Sequence, residues 1–262
     1  MGKLIFLFTI VVAIFFQKIH GQNYEVSYSI IYKPHISDTL KIKENYILKF
    51  DVNKSESLFI SSISDDSFNA TIYKNFSKNE FFKYEKIIDG HYRTTYQFNN
   101  QNWELLSDKK EFLGFTCQKA HISFGERNWE AWYSTEIPFQ DGPYKFSGLP
   151  GLILEINSLD GDYSFTMNGI KKNEYQDMSK PKAIPFKNEE NEKKFKYEII
   201  KDPASQYRKA LQQLKSQNIG VTVNYNGKEI KPADSEKMIV DQFNRWIKKH
   251  NNPIEKGSIW IK

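Results

Sequence analysis

The stretch that most constrains the fold runs from residue 142 to residue 156, where turn-forming residues lead into an apolar run. Its first ten residues contain three glycines and two prolines. Glycine permits a positive φ and proline fixes φ, so together they favour a tight, rigid turn. Leu152, Ile153 and Leu154 follow without a polar residue, as is typical of a strand that enters a core. The sequence therefore predicts a rigid corner followed by a buried strand.

Residues 22–170 predict one antiparallel β-sheet domain that contains this corner. Aromatic or apolar side chains recur at every second position in several runs, a period typical of half-buried strands. The aromatic content of 15% favours strands as well, and Asp-Gly pairs at 89–90 and 160–161 supply hairpin turns. Residues 61–79 are polar and predict a long connection. We expect a curved, half-barrel-like sheet of roughly eight to ten strands. The alternating runs span residues 24–32, 46–52, 92–98 and 129–137.

The chain changes character in its C-terminal third. Residues 171–200 are charged and contain two prolines, so they predict a linker or an extended excursion. Residues 201–262 predict two α-helices, separated by a hairpin, that pack on the sheet. Asp202 and Pro203 suit the start of the first helix, and an apolar stripe with helical spacing marks the second. The fold class that follows is α+β.

The first 21 residues have the organisation of a signal peptide. A short basic start precedes a run of thirteen residues, Leu4–Phe16, that is apolar apart from one threonine. This run is too short to span a bilayer, which disfavours the alternative of a retained membrane anchor. Gly21 supplies a small residue at the cleavage point, and no cysteine follows the apolar run to indicate a lipoprotein. We therefore expect an exported protein, periplasmic or associated with the outer membrane, that is not transmembrane after cleavage.

The charge of the chain is small once this segment is removed. Cleavage after Gly21 takes away Lys3 and Lys18 and lowers the formal charge from +5 to +3. Acidic and basic residues alternate along the chain, which is typical of a solvated surface. A charge this small argues for no particular partner, and we expect no nucleic acid to bind.

The sequence predicts no catalytic, cofactor-binding or metal-binding residue. Cys117 is the one cysteine, so no intramolecular disulfide forms. On a regular strand it would lie about 13 Å from His121, too far for a thiol–imidazole pair. Leu113 and Phe115 share its strand face, which predicts a buried, inert thiol. The histidines show no metal-ligand spacing, and neither a phosphate loop nor a Gly-x-Ser-x-Gly motif occurs. An enzyme with a site assembled from dispersed residues stays open as an alternative.

Aromatic residues around the corner predict a candidate ligand groove. Trp129 and Tyr133 fall on the apolar face of their strand, which favours core packing over a place in the groove for these two. Trp132 shares the other face with Glu130 and Glu136, which suits a concave groove or the underside of a helix. A curved sheet that its helices cover on one face leaves room for an apolar or peptide ligand. The predicted groove residues are Trp129, Trp132, Tyr133, Tyr144 and Phe146.

The hexapeptide at residues 148–153, Gly-Leu-Pro-Gly-Leu-Ile, resembles the signature of the GLPGLI family of exported Bacteroidetes proteins. Further elements match in order: Cys-Gln-Lys-Ala at 117–120, Gly-Glu-Arg-Asn-Trp-Glu-Ala-Trp-Tyr at 125–133 and Asn-Asn-Pro-Ile-Glu at 251–255. The resemblance is strongest over residues 113–156, and it implies a structural role for the signature positions. These are Cys117, Gly142, Pro143, Gly148, Leu149, Pro150 and Gly151.

The family resemblance implies an envelope protein without an assigned biochemical activity and without catalytic residues to transfer. We expect a non-enzymatic protein that binds or carries a ligand, or that accompanies an outer-membrane receptor or another envelope protein. The alternatives are a hydrolase-like enzyme and a purely structural envelope component. Half-barrel carriers of lipids and lipoproteins share the predicted β-rich pattern, but a fold does not specify a ligand.

Overall fold

The computed structural model of this chain describes residues 23–63, 68–88, 90–98, 101–173, 177–225 and 227–259. The predicted signal peptide, residues 1–21, lies outside them, as does Asp89 of one predicted hairpin turn. Within the described ranges, no helix is both long and apolar enough to cross a membrane.

The described residues contain twelve strands that form one sheet. They are β1 (Asn23–Tyr32), β2 (Ile42–Asp51), β3 (Glu56–Ser61), β4 (Thr71–Asn75), β5 (Glu80–Ile87), β6 (Gly90–Thr95), β7 (Glu104–Phe112), β8 (Phe115–Phe124), β9 (Arg127–Ser134), β10 (Leu152–Ser158), β11 (Tyr163–Asn173) and β12 (Ile184–Phe186). Two meanders, β1 to β6 and β7 to β11, meet where β1 pairs with β11. β12 pairs in parallel with β6, and the other neighbouring strands are antiparallel. The prediction of a mostly antiparallel, curved sheet is confirmed, and the sheet is open, with β7 and β12 at its edges.

The predicted long connection over residues 61–79 is wrong in part, because β4 lies inside it. Ile72 and Lys74 alternate along this short strand, and both are fully buried. The buried Lys74 makes the sequence of β4 appear polar, because lysine is usually exposed, so the hydropathy pattern predicts a loop in place of this strand.

Alternation along β1 places four side chains on the buried face of the sheet. Val26, Tyr28, Ile30 and Tyr32 are fully buried, as the period-two pattern predicts. Phe68, from the connection between β3 and β4, packs on aromatic rings from several strands and from the corner, with ring centroids 5.6 to 6.4 Å apart. Each such ring buries a large apolar area, so the interior of the sheet is an aromatic core.

Three α-helices lie near the C-terminus of the described residues, where the sequence predicted two. They are α1 (Glu189–Lys201), α2 (Ser205–Ser216) and α3 (Pro232–Ile247), with a hairpin of β13 (Val223–Tyr225) and β14 (Lys228–Ile230) between the last two. The additional helix, α1, lies mostly in the segment predicted as a linker. The Asn188 side chain caps it by accepting a hydrogen bond from the Asn191 N–H. Its buried face carries Glu192 and Lys196. Because charged residues lie on that face, the sequence does not show the apolar stripe by which an amphipathic helix is recognised.

The corner is buried although it contains no regular strand. Residues 141–147 are buried without exception, and Leu149 and Gly151 are buried as well. Gly148 and Pro150 reach the surface. Main-chain groups in a buried segment need hydrogen-bond partners, and this segment obtains several of them from side chains elsewhere in the fold.

The glycines of the corner permit close packing and a tight turn. A Cβ atom on Gly151 would lie 2.0 Å from the main-chain oxygen of Ser134, and one on Gly142 would lie 2.8 Å from the Ile153 side chain. Gly148 has a φ of +90°, which favours glycine. The backbone geometry of the corner therefore accounts for the signature glycines, and no catalytic role is needed to explain them.

Replacing Gly151 with alanine is expected to destabilise the fold by about 3 kcal/mol or more, because the added Cβ overlaps a main-chain oxygen. Gly169→Ala is the matched control, since it lies in β11 and its Cβ would be 4.0 Å from Ser27 Oγ. Urea unfolding followed by circular dichroism measures both variants. Equal stability of the two would contradict the close approach at Gly151.

Candidate functional site

A fully buried lysine from β4 holds the start of the corner. The Lys74 ammonium pairs with the Asp141 carboxylate and donates to the main-chain oxygens of Gly142 at 3.0 Å and Phe146 at 3.2 Å. Ser57 Oγ donates to the second Asp141 oxygen at 2.5 Å. Burial lowers the pKa of Lys74, and the Asp141 carboxylate opposes that shift. These bonds tie the corner to the first meander of the sheet.

Two side chains that follow β6 hold the other side of the corner. The Gln101 amide donates to the main-chain oxygen of Lys145 at 3.0 Å and accepts from the Ser147 N–H at 3.1 Å. The Trp103 indole N–H donates to the Ser147 main-chain oxygen at 2.9 Å. These three bonds satisfy main-chain groups that a buried turn would otherwise leave unpaired.

Residues 252–259 form a C-terminal strap, which a buried arginine holds against the sheet. Arg127 donates to the main-chain oxygens of Pro253 at 2.9 Å and Ile254 at 3.1 Å, and to the side chain of Asn252. Its guanidinium also pairs with two aspartates at the turn between β10 and β11. Arginine suits this role because its five N–H groups radiate in one plane.

Glu255 connects the strap to the corner. One of its carboxylate oxygens accepts from the Tyr144 hydroxyl at 2.5 Å and lies 2.8 Å from Lys145 Nζ. The Lys145 ammonium also lies 4.7 Å from the centre of the Tyr96 ring. Burial alone would raise the pKa of Glu255, but the ammonium groups of Lys145 and Lys83 and the Tyr144 hydroxyl lower it below its ordinary value.

A second buried ionic cluster attaches α1 to β5. Lys196 Nζ lies 2.7 Å from Glu85 and 2.8 Å from Glu192, and Lys83 Nζ lies 2.7 Å from the same Glu192 oxygen. Burial would raise the pKa of Glu192, but the two ammonium groups lower it well below its ordinary value. Two lysines and two glutamates thus neutralise one another, and the cluster holds the helix on the sheet.

Two clefts flank the corner. The first, here named the aromatic cleft, has a volume of about 660 Å³ and lies beside the start of the corner and the connection from β2 to β3. Its apolar lining residues are Phe50, Val52, Phe76, Phe98, Pro138 and Phe139.

The second, here named the polar cleft, has a volume of about 790 Å³. It lies between the hairpin of β8 and β9, the corner, the start of α1 and the C-terminal strap. Phe98 and Gln101 line both clefts. Since Gln101 is bonded to the corner, the two clefts share a wall that is fixed in place.

The structure places four of the predicted groove residues in the core. Trp129, Tyr133, Tyr144 and Phe146 are each at most 3% exposed. The Trp129 and Tyr144 rings pack on the Phe146 ring with centroids 4.8 and 6.3 Å apart. These four side chains therefore belong to the core, and Trp129 also borders the polar cleft.

Trp132 alternates with Trp129 and Tyr133 along β9 and is half-buried. The ammonium groups of Lys110 and Lys119 lie 4.4 and 5.0 Å from its ring centre, which are cation–π contacts. The ring is therefore already covered by charged side chains, an arrangement that the cross-strand register creates and that sequence spacing does not reveal.

Cys117 is buried in β8. Burial raises the pKa of its thiol to about 11, so the nucleophilic thiolate is scarce at neutral pH. Among the described residues, no group of three or more His, Cys, Asp or Glu side chains is arranged to hold a metal ion.

Comparison with known proteins gives one family match and several structural likenesses. A family model described as a protein of unknown function, Porph_ging, matches residues 123–155, which include the corner. No curated protein matches the chain. Among solved structures, PNGF-II in its C2 crystal form has a TM-score of 0.52 and 16% identity, covering 65% of this chain and 32% of its own. An uncharacterized conserved protein from Thermus thermophilus has a TM-score of 0.41 and 7% identity, covering 64% of this chain and 92% of its own.

A DUF1329 family protein from Desulfovibrio piger has a TM-score of 0.28 and 10% identity, covering 65% of this chain and 91% of its own. The match to PNGF-II covers about a third of the length of that protein. At 16% identity, the likeness to PNGF-II shows the fold alone.

Replacing Lys74 with methionine is expected to lower the free energy of unfolding by about 3–5 kcal/mol, because the Asp141 carboxylate is left buried without its partner. The double variant K74M/D141N should recover part of this loss. Lys54→Met, which removes an exposed lysine paired with Asp51, is the control and should change stability little. A loss in K74M no larger than in the control, measured by urea unfolding, would contradict the anchoring role.

The strap should loosen in acid through Glu255. Because its pKa is lower in the folded chain than the ordinary value of 4.5, its carboxylate stabilises the fold above that pH and stops doing so as the pH falls through the lower value. Glu255→Gln should therefore be less stable at neutral pH, by roughly 1–3 kcal/mol, and the gap should shrink in acid. Urea unfolding between about pH 7 and pH 3 tests this. The control Glu190→Gln, on the exposed face of α1, should have nearly the same free energy of unfolding as the parent protein. If the stability difference between Glu255→Gln and the parent stays constant with pH, that result would count against the ion pair.

Proposed function

We propose that this chain is an exported, non-enzymatic envelope protein of the GLPGLI family that binds an apolar ligand in the aromatic cleft. The observation that carries the proposal is the cleft, whose volume of about 660 Å³ falls in the range of ligand pockets, roughly 300–1,000 Å³. The ordered signature elements and the match of residues 123–155 to a family of unknown function support the family assignment. The signal-peptide pattern of residues 1–21 supports export.

Aromatic rings form the walls of this cleft and leave apolar surface for a ligand to cover. Phe50 and Phe139 stack with centroids 4.8 Å apart, and Phe76 meets Phe98 edge-on at 5.7 Å. Phe76 is 39% exposed, although phenylalanine is usually a buried residue. Removing such surface from water is favourable in proportion to the apolar area covered.

The acidic residues at the edge of the cleft already have partners. Asp51 pairs with Lys54 at 2.8 Å, and Glu56 accepts from the Tyr73 hydroxyl at 2.7 Å. Asp141 is held by the buried lysine beneath the corner. Since these carboxylates are engaged with the protein, the cleft presents mainly its aromatic surface, which favours an apolar ligand over a charged one.

The aromatic cleft is lined by Ser57 and Asp141, which with the buried Lys74 behind them come closest to a catalytic arrangement at this cleft. A serine nucleophile needs access to substrate and a base that takes its proton. Ser57 is 1% exposed, and the Lys74 side chain is fully buried with its ammonium bonded to three oxygens of the corner. This arrangement holds the corner, and it favours a binding protein over the hydrolase-like alternative. As a carrier, the protein would pass its ligand to an outer-membrane receptor or another envelope protein.

Binding of the neutral fluorophore N-phenyl-1-naphthylamine tests the proposal. The purified protein is expected to enhance the fluorescence of the probe, and Phe76→Ala should weaken binding roughly fivefold or more, because a ring is lost from the cleft wall. Tyr197→Ala is the matched control, since it removes an aromatic side chain that is 56% exposed on α1. Absence of binding to the parent protein, or equal binding by both variants, would refute the aromatic cleft as the ligand site.

A further inference from the structure

We infer that the polar cleft is a second binding site, specific for a neutral carbohydrate. Its volume of about 790 Å³ is that of a pocket for a small organic ligand. It is separated from the aromatic cleft by the wall that Phe98 and Gln101 form. The chemistry of its lining differs from that of its neighbour, so the two clefts should select different ligands.

The cleft combines aromatic surface with hydrogen-bonding groups. Phe98 and Phe124 are half-buried at its wall, and Trp129 lies in the core behind them. Such rings present flat apolar faces. A pyranose ring has a C–H face that packs on a flat apolar surface, while its hydroxyl groups point outward from the ring edge. Aromatic faces bordered by polar groups match that division.

The polar groups at the rim can both donate and accept hydrogen bonds. Asn102 and Asn128 are exposed, and Gln101 is half-buried. Asn102 offers N–H donors and a carbonyl acceptor. Asn128 offers its N–H donors, since its carbonyl oxygen accepts from Ser123 Oγ at 2.6 Å, and the Gln101 amide is already bonded to the corner. A sugar hydroxyl also donates and accepts, so neighbouring hydroxyls on one ring can pair with one amide.

The charges around the cleft disfavour an anionic ligand. Lys145 is the one lysine among the described lining residues, which include no arginine, and its ammonium is already paired with Glu255 at 2.8 Å. Glu104 and Glu189, both exposed, add further negative charge. A phosphate or carboxylate entering here would meet a surplus of carboxylates, which is unfavourable. A neutral polyhydroxylated ligand avoids this repulsion and still finds acceptors in the same carboxylates.

A glycan microarray of neutral and acidic oligosaccharides identifies the preferred ligand, and isothermal titration calorimetry with the best neutral oligosaccharide then measures affinity. The double variant Asn102→Ala/Asn128→Ala should bind it roughly tenfold or more weakly, because two amides that contact the ligand are lost. Asn244→Ala, on the exposed side of α3, is the matched control and should bind like the parent. Circular dichroism checks that both variants remain folded.

Three results would overturn the inference. The first is that no neutral oligosaccharide binds the protein. The second is that the double variant binds as tightly as the Asn244→Ala control. The third is that acidic glycans, or a lysine-rich peptide tested in the same calorimeter, bind more tightly than every neutral oligosaccharide, which would assign the cleft to a charged ligand.

Discussion

The structure depends on the ion pair that Lys74 forms beneath the corner. Seven consecutive residues, 141–147, are buried there without regular strand pairing, so their main-chain groups must find partners elsewhere. The Lys74 ammonium donates hydrogen bonds to two main-chain oxygens and to Asp141. On the opposite side of the corner, the side chains of Gln101 and Trp103 form hydrogen bonds with main-chain groups. The corner is thereby a fixed part of the core, and the walls of both clefts are built on it.

Buried charge is used in the same way around α1 and the C-terminal strap. The helix attaches to β5 through two lysines and two glutamates, and the strap attaches through Arg127 and Glu255. A buried ion pair adds less net stability than its Coulomb attraction suggests, because both charges lose their hydration. Breaking one is costly, however. We therefore infer that these pairs select one position for the helix and the strap, a hypothesis that the acid dependence of stability addresses.

The fold was more accessible from sequence than the site. Period-two alternation identified β1, β2 and β9 correctly, since side-chain alternation is a local property of a strand. It missed β4, whose buried lysine reads as polar, and α1, whose buried face carries Glu192 and Lys196. Both errors have one cause: a charge buried against its partner looks solvent-exposed until the partner is known. Tyr144 and Phe146 were candidates for the predicted groove, and sequence spacing alone does not show that the Tyr144 and Trp129 rings both pack on Phe146 in the core.

The sequence by itself determined an antiparallel sheet, a rigid Gly/Pro corner and a resemblance to one family, because turn chemistry and strand alternation are encoded over a few residues. The tertiary structure alone decided where the two clefts lie and which charges are paired. Phe50 and Phe139, or Lys145 and Glu255, are far apart in the chain and meet only in the folded structure. Whether an aromatic side chain lines a cleft or fills the core depends on packing across the sheet, and no local pattern records that.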